Sequence, residues 1–358
     1  MTSAPIRNWT GVAASSDATK LVAVAYGGQI YTSTDSGATW TPRDSVRNWQ
    51  EVASSADGVK LAAVAYNGQI YTSTNSGVDW TPHESNRQWS SVASSSDGVH
   101  LVAGGLSTQV YASDDSGVSW TPHDSTRLWN GLAASADGSR LAAAVGNDQI
   151  FTSANFGTNW TARGGRSSWI AMASSADGSN LVAGAINVLG TGGQLASSTN
   201  GGLTWASTGT NLYWRTAASS ADGKTMIVGV YGGQLFISTN SGAVWTATAF
   251  TNRWFSVACS ADGSRFVAAA DDSTGVGRIY ISPPLPSPAP ALTIAFTETN
   301  TAVISWPAVL TNWALQQSSD LPGASWSSPT ENTNIIGTNT FIVVDPPGGI
   351  RFYRLFKP

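Results

Sequence analysis

Tryptophan recurs in this chain with a period close to forty. Trp9, Trp49, Trp89, Trp129, Trp169, Trp214 and Trp254 form one series, spaced by 40 residues at every step but one, which is 45. A second series, Trp40, Trp80, Trp120, Trp160, Trp205 and Trp245, runs in step with it. A fixed period of this length marks a repeat architecture, in which each unit buries its apolar face against the next.

One unit reads from residue 49 to 88. "WQEVASS" is a short strand of small residues, "ADG" a turn, "KLAAVAY" a second strand, "NG" another turn, and "QIYTST" a third strand. "NSG" then turns the chain into "VDWTPHES", a fourth strand that leads into the next unit. Glycine sits where such turns demand positive φ. Four antiparallel strands per unit, with Ala and Ser crowding the first strand, describe the blades of a β-propeller packed around an axis. A linear array would leave sheet edges open, and a seven-membered ring removes them. The expected fold is therefore all-β: a seven-bladed β-propeller over 1–282, a Pro-rich linker at 283–290 ("PPLPSPAP") and a small β-sandwich-like module at 291–358. That module alternates as strands do in "LTIAF", "AVISW", "WALQQ", "TFIVV" and "RFYRLF". The seventh unit lacks its Gly-x-x-Trp strand, so its outer strand should come from residues 2–6, from the linker, or be missing.

The segments "STDSGATW" (33–40) and "SDDSGVSW" (113–120) fit S-x-D-x-G-x-x-W, and four related segments carry Asn in the Asp slot or small changes. This pattern resembles the Asp-box (BNR) repeat of bacterial sialidases, xyloglucanases, sortilin-type receptors and photosystem II assembly propellers. The resemblance implies a propeller but no single activity, because one scaffold carries unrelated functions. Locally, the acid or amide bonds the turn backbone and Gly supplies its backbone angle. The Trp should then be buried between sheets. The C-terminal pattern "ISWP…LQQSSDL…W…FYRL" resembles short modules of exported Verrucomicrobia-type proteins, which implies a secreted or periplasmic protein.

Composition narrows the function. Hydrophobic residues make up 41%, charged residues only 11%, and the net charge is −4 with no basic block. Nucleic-acid binding through Lys/Arg–phosphate contacts is not expected. No apolar run is long enough to span a bilayer as a helix. Cys259 is the only cysteine and His83, His100 and His123 are scattered, so neither a disulfide nor a metal or cofactor site is expected. The chain gives no indication of oligomeric state.

The loops after the second and fourth strands share one face. They bring together Tyr26, Tyr66 and Tyr231, the series Arg47, Arg87 and Arg127 with Trp49, Trp89 and Trp129, and the acids Asp44, Glu84 and Asp124. Aromatic faces beside Arg and carboxylate suit a sugar ring, while the same groups could instead form a clasp between blades. Glycosidic chemistry needs a carboxylate pair. Seven acids fall in the first turn, two in the Asp-boxes and four in the C-terminal module, and the remainder, Glu51 among them, mark out no pair. Two longer loops, 185–194 and 270–278, break the symmetry, and any unique site should lie between them with Asp271 and Asp272 as its acids. A Ca²⁺ ion on those two carboxylates is conceivable. The reading is a non-catalytic, lectin-like binding protein with several equivalent sites. The alternatives are a protein-docking scaffold and, second, a glycoside hydrolase or lyase with an unrecognised site.

Overall fold

The computed structural model describes residues 4–186, 192–207, 210–271, 277–283, 292–297, 301–307, 314–319, 325–336, 339–344 and 351–356. The regular structure among the described residues is entirely β. The chain divides into two compact units, Met1–Leu285 and Pro286–Pro358.

In the first unit, strands pair antiparallel in chain order. Trp9–Ala14 pairs with the first half of Leu21–Ser33, whose second half pairs with Thr41–Ser54. Midway through these long segments the backbone turns at a left-handed residue: Gly27, Asn67, Ser107, Asn147 and Gly232 all have φ between 54° and 72°. In the fourth repeat the same run is an explicit hairpin, with Leu141 opposite Ser153.

The first turn of each repeat is built by an Asp. Asp17 accepts the Ser15 hydroxyl (2.6 Å) and the Thr19 N–H (3.0 Å), while the Lys20 N–H donates to Ser15 Oγ (3.0 Å). Asp137 and Asp177 repeat the arrangement. These bonds, chiefly from the Ser two residues earlier, hold all three carboxyls down at about 2.

Beside these turns runs a closed circuit of backbone hydrogen bonds. The N–H of Ser16 donates to Ala56 O, Ala56 to Ser96, Ser96 to Ala136, Ala136 to Ala176, Ala176 to Ala221, Ala221 to Ala261, and Ala261 back to Ser16, at 2.7–2.8 Å. First and last repeats also share one apolar cluster, in which Trp9, Val12 and Leu21 pack with Val267, Ala269 and Ile279. The Val12 N–H donates to Ser256 Oγ across the same junction. Beyond Gly277–Ile281, the last strand of the first unit, the segments proposed to complete the final repeat fall mostly on residues 1–3 and 284–291, outside the described residues.

The two tryptophan series exchange the roles expected of them. Trp9, Trp49, Trp89, Trp129, Trp214 and Trp254 are almost wholly buried, each at 2% exposure or less. Trp9, Trp49 and Trp89 meet the edge of a tyrosine one strand away, Tyr31, Tyr71 and Tyr111, at 4.9–5.2 Å between ring centres. The indoles of the hairpins, Trp40, Trp80, Trp120, Trp160, Trp205 and Trp245, are only half-buried. They lie at the sheet periphery, where Trp40, Trp80, Trp120 and Trp205 donate their ring N–H to the Gly carbonyl three residues back at 2.9–3.1 Å. The rest of the hairpin is a local lock. Asp35 takes the Ser33 hydroxyl and both the N–H and the hydroxyl of Thr39, and the Gly37 N–H donates to Ser33 Oγ. Asn75 does the same work in the second repeat.

The second unit holds a four-stranded antiparallel sheet (Thr293–Phe296, Ala302–Pro307, Asn339–Val344, Asn334–Ile336) and a two-stranded one (Ala314–Ser318, Phe352–Phe356). Leu315 of the smaller sheet joins Ala302, Ile304, Trp306, Ile342 and Val344 of the larger in one core.

Candidate binding face and axial cavity

The face that carries the loops after the second and fourth strands is built differently in the two halves of the ring. In the first four repeats an arginine stands two residues before the buried Trp: Arg7, Arg47, Arg87 and Arg127. Each lies over an aromatic ring of the adjoining strand. Arg47 is 4.5 Å from the Tyr71 ring centre, Arg87 is 5.0 Å from Tyr111 and Arg127 is 4.3 Å from Phe151. Asp44, Glu84 and Asp124 pair with these arginines at 3.5–3.7 Å, and Arg127 also reaches Asp148 at 2.7 Å. Arg7, which the sequence reading passed over, lies over Tyr31 at 5.8 Å and donates to its hydroxyl at 3.1 Å.

These contacts make a structural clasp. Asp44, Glu84 and Asp124 occupy left-handed backbone (φ 48°, 61° and 54°), and their carbonyls accept the side-chain amides of Gln29, Gln69 and Gln109. In the fourth repeat Gly164 takes the same place, with Gln149 on its carbonyl. A position that glycine can fill serves the turn. The indoles of Trp49, Trp89 and Trp129 are 0% exposed and offer no face to a ligand, so the expected sugar-stacking site in each repeat does not form around them. Of the tyrosines singled out with them, Tyr66 is half-buried, whereas Tyr26 (41%) and Tyr231 (37%) open to solvent.

The clasp stops after the fourth repeat. Ser167, Leu212 and Asn252 stand where arginine would be. Between the two longer loops lies the sixth repeat, and there Tyr213, Tyr231 and Phe255 form a contiguous aromatic run, with ring centres 5.3 and 5.7 Å apart. Phe250, on the same strand as Phe255, is 74% exposed. Arg253 grips Asp271 through two contacts, at 2.8 and 3.0 Å. Asp271 is therefore neutralised by a neighbour, and Asp272 lies outside the described residues.

At the centre of this face opens an axial cavity of ≈ 200 Å³. Its upper ring is the residue after each buried Trp: Thr10, Gln50, Ser90, Asn130, Ile170, Arg215 and Phe255. Three of these tie neighbouring repeats together. Thr10, Ser90 and Asn130 donate to the carbonyls of Trp49, Trp129 and Trp169 at 2.7–2.9 Å. The next ring reads Gly11, Glu51, Ser91, Gly131, Ala171, Thr216 and Ser256. Its hydroxyls are structural too: Ser91, Thr216 and Ser256 accept the backbone N–H of Leu132, Val257 and Val12 at 3.0–3.1 Å.

Glu51 breaks this ring of small residues. Its Oε1 accepts the N–H of Val52 at 3.3 Å. It reaches that position because residue 11 is glycine, where an added Cβ would sit 3.0 Å from Glu51 Cα and 3.1 Å from Oε1. Burial pushes the Glu51 carboxyl up to about 8, against the opposing pull of the Val52 bond and the Arg215 charge. The sequence held a signal for it. Aligned on the buried Trp, this column has one acid among Gly, Ser, Ala and Thr, which sorting the acids by loop does not reveal.

The opposite mouth is lined by Ser and Ala of the first turns and by Cys259. That thiol is half-buried, donates to Ser260 O at 3.2 Å and is pushed up to about 12 by burial, so it is not a nucleophile at neutral pH.

A scan against protein-family models finds no match, and no curated protein matches the sequence. Solved structures do match. One, described as YCF48 bound to D1 peptide, is 14% identical with a TM-score of 0.59, over 77% of this chain and 94% of that one. YCF48 from Cyanidioschyzon merolae is 15% identical with a TM-score of 0.58, over 77% of this chain and 96% of that one. The chain folds as a β-propeller. At these identities the likeness extends to the fold alone.

Proposed function

We propose that this chain is a seven-bladed, non-catalytic protein-docking propeller whose partner lies on the open sector of the sixth repeat. The observation that carries this reading is the aromatic run Tyr213–Tyr231–Phe255, with Phe250 exposed on the strand of Phe255. Tyr231 and Phe250 are exposed and Tyr213 and Phe255 half-buried in this sector, and aromatic groups gathered in one place, Tyr above all, favour a docking surface. A structural neighbour described as holding a peptide supports a peptide-like partner. The seven-membered backbone circuit supports the blade count. The S-x-D/N-x-G-x-x-W locks support assigning the hairpins to the Asp-box type. The carbohydrate reading loses support because its stacking rings are buried. The hydrolase alternative lacks support as well, since the axial cavity carries one carboxylate among its lining residues.

Selection of a linear peptide library on the wild-type protein, beside a glycan array, tests the proposal. Enriched peptides should bind the wild type, lose at least about tenfold in affinity on a Tyr213→Ala/Tyr231→Ala protein, and be accompanied by a silent glycan array. Glycan hits that survive the double substitution, with no peptide enriched, would overturn it.

A further inference from the structure

The axial cavity shares Phe255 with the docking sector but differs from it in chemistry. Its lining holds two ionisable side chains, Glu51 and Arg215, contributed from separate repeats. Around Glu51, the strands packed against it present Thr10, Gly11 and Val12 from the first repeat, Val64 from its own hairpin, and Ser90, Ser91 and Val92 from the third. None of these carries charge, so Arg215 is the one charged group that acts on Glu51 across the space. Arg215 itself has neither a carboxylate within ion-pairing distance nor a hydrogen-bond acceptor among the described residues, and its guanidinium lies 5.9 Å from the Phe255 ring centre. A guanidinium at a cavity wall without an anion is a vacant half of an ion pair. The volume far exceeds the roughly 10–15 Å³ that one water needs.

The carboxyl at position 51 asks for its own explanation. Serine or threonine at the equivalent positions 91, 216 and 256 satisfies backbone N–H groups with a short neutral side chain. A glutamate at 51 performs a comparable bond only with glycine opposite and at the cost of partly burying an acid. We propose that the axial cavity is a binding site for a carboxylate group, held by the guanidinium of Arg215 and by a hydrogen bond from the carboxyl of Glu51, with Gln50 also on the lining. With Glu51 neutral the cavity is net positive and attracts an anion. When Glu51 ionises, the cavity becomes neutral overall and places a carboxylate against the ligand. Affinity is therefore highest below the titration of Glu51 and falls above it. Ligand binding favours the protonated form and so draws a proton from solvent. The carboxylate has two conceivable sources, a free small acid or the end of a docked peptide, which share this chemistry.

Isothermal titration calorimetry with sodium succinate, at pH 7, 8, 9 and 9.5 in two buffers of different ionisation enthalpy, reads both effects. Two tetrapeptides that differ only in a free or an amidated C-terminus separate the sources. Binding should weaken by up to about tenfold per pH unit above pH 8, with uptake of up to one proton. Glu51→Gln should bind at all four pH values without the pH slope or the proton uptake. Arg215→Gln should lose at least tenfold at pH 7 while keeping the wild-type melting temperature. Preference for succinate over both peptides assigns a free acid, and preference for the free-ended peptide over its amide assigns a chain terminus. The inference is overturned if neither probe binds, if glucose binds as well as succinate, or if the pH slope persists in Glu51→Gln. Because the Tyr213→Ala/Tyr231→Ala protein leaves Glu51 and Arg215 in place, failure here and failure of the docking reading are distinguishable.

Discussion

The first four repeats and the last three use the same strands for different ends. In the former, Arg7, Arg47, Arg87 and Arg127 each fold over a ring of the adjoining strand, and three of them also pair with an acid of the turn. In the latter that arginine is gone, two loops lengthen, and the exposed Tyr231 stands between the half-buried rings of Tyr213 and Phe255. Repetition engages the arginines of the first half with rings and carboxylates of their own scaffold, which leaves those guanidinium groups little to offer a ligand. The second half departs from the pattern at the positions where an aromatic run and the unpaired Arg215 guanidinium come together. Function in a repeat protein should be sought where the column of equivalent residues changes character.

Four measurements would break or sharpen this contrast. The largest effect belongs to the buried indoles. Trp89→Ala should cost about 3–5 kcal/mol in urea unfolding, and the half-buried Trp120→Ala about 1–2 kcal/mol. Equal losses would mean that the two series are not distinct in burial. Next comes the cavity acid. The folded-state value of Glu51, about 8, lies above its ordinary 4.5, so its burial costs stability progressively as pH rises from 4.5 to 8 and by a constant amount above. Glu51→Gln should accordingly be more stable than wild type at pH 9, by roughly 2–4 kcal/mol, and indistinguishable from it below pH 4.5.

The clasp supplies the third comparison. Arg87→Ala should lower stability by about 0.5–2 kcal/mol, whereas Arg215→Ala should stay within about 0.5 kcal/mol of wild type. A melting temperature that falls more for Arg215→Ala would place it in the scaffold. The smallest effect concerns a turn. Asp137→Ala should cost about 0.5–1 kcal/mol at pH 7. Because the folded carboxyl titrates near 2 rather than 3.8, that advantage of wild type should be lost as pH falls from 3.8 through 2.

Much of the scaffold was legible beforehand. The forty-residue period, the turns at Asp17 and its equivalents, and the C-terminal strands all appear where alternation and turn chemistry put them. What sequence spacing could not separate was the burial of the two Trp series, since both recur with the same period. Their difference arises from position along the blade. Trp49 lies between the edge of Tyr71 and the hairpin indole Trp80, whereas Trp80 sits at the outer hairpin with its ring N–H on Gly77. Spacing assigned the rim residues to one face, but it does not tell what an arginine lies over: Arg47, Arg87 and Arg127 lie over aromatic rings of the adjoining strand, and an arginine over a ring and an arginine over a sugar look alike in one dimension. Glu51 was visible as a residue and invisible as a site. Its meaning depends on Gly11, forty residues away, which vacates the space it fills.

The circuit of backbone hydrogen bonds from Ser16 through Ala261 has an electrical consequence. Each C=O···H–N dipole in it points along the circumference, so the vectors around the loop sum to nearly nothing. A helix does the reverse, stacking its peptide dipoles head to tail until its terminus holds about half a charge. This part of the propeller shaft therefore imposes little potential of its own. The sign of the field inside the cavity is set by Glu51 and Arg215, and it can be reversed or erased at either residue while the wall that surrounds them stays as it is.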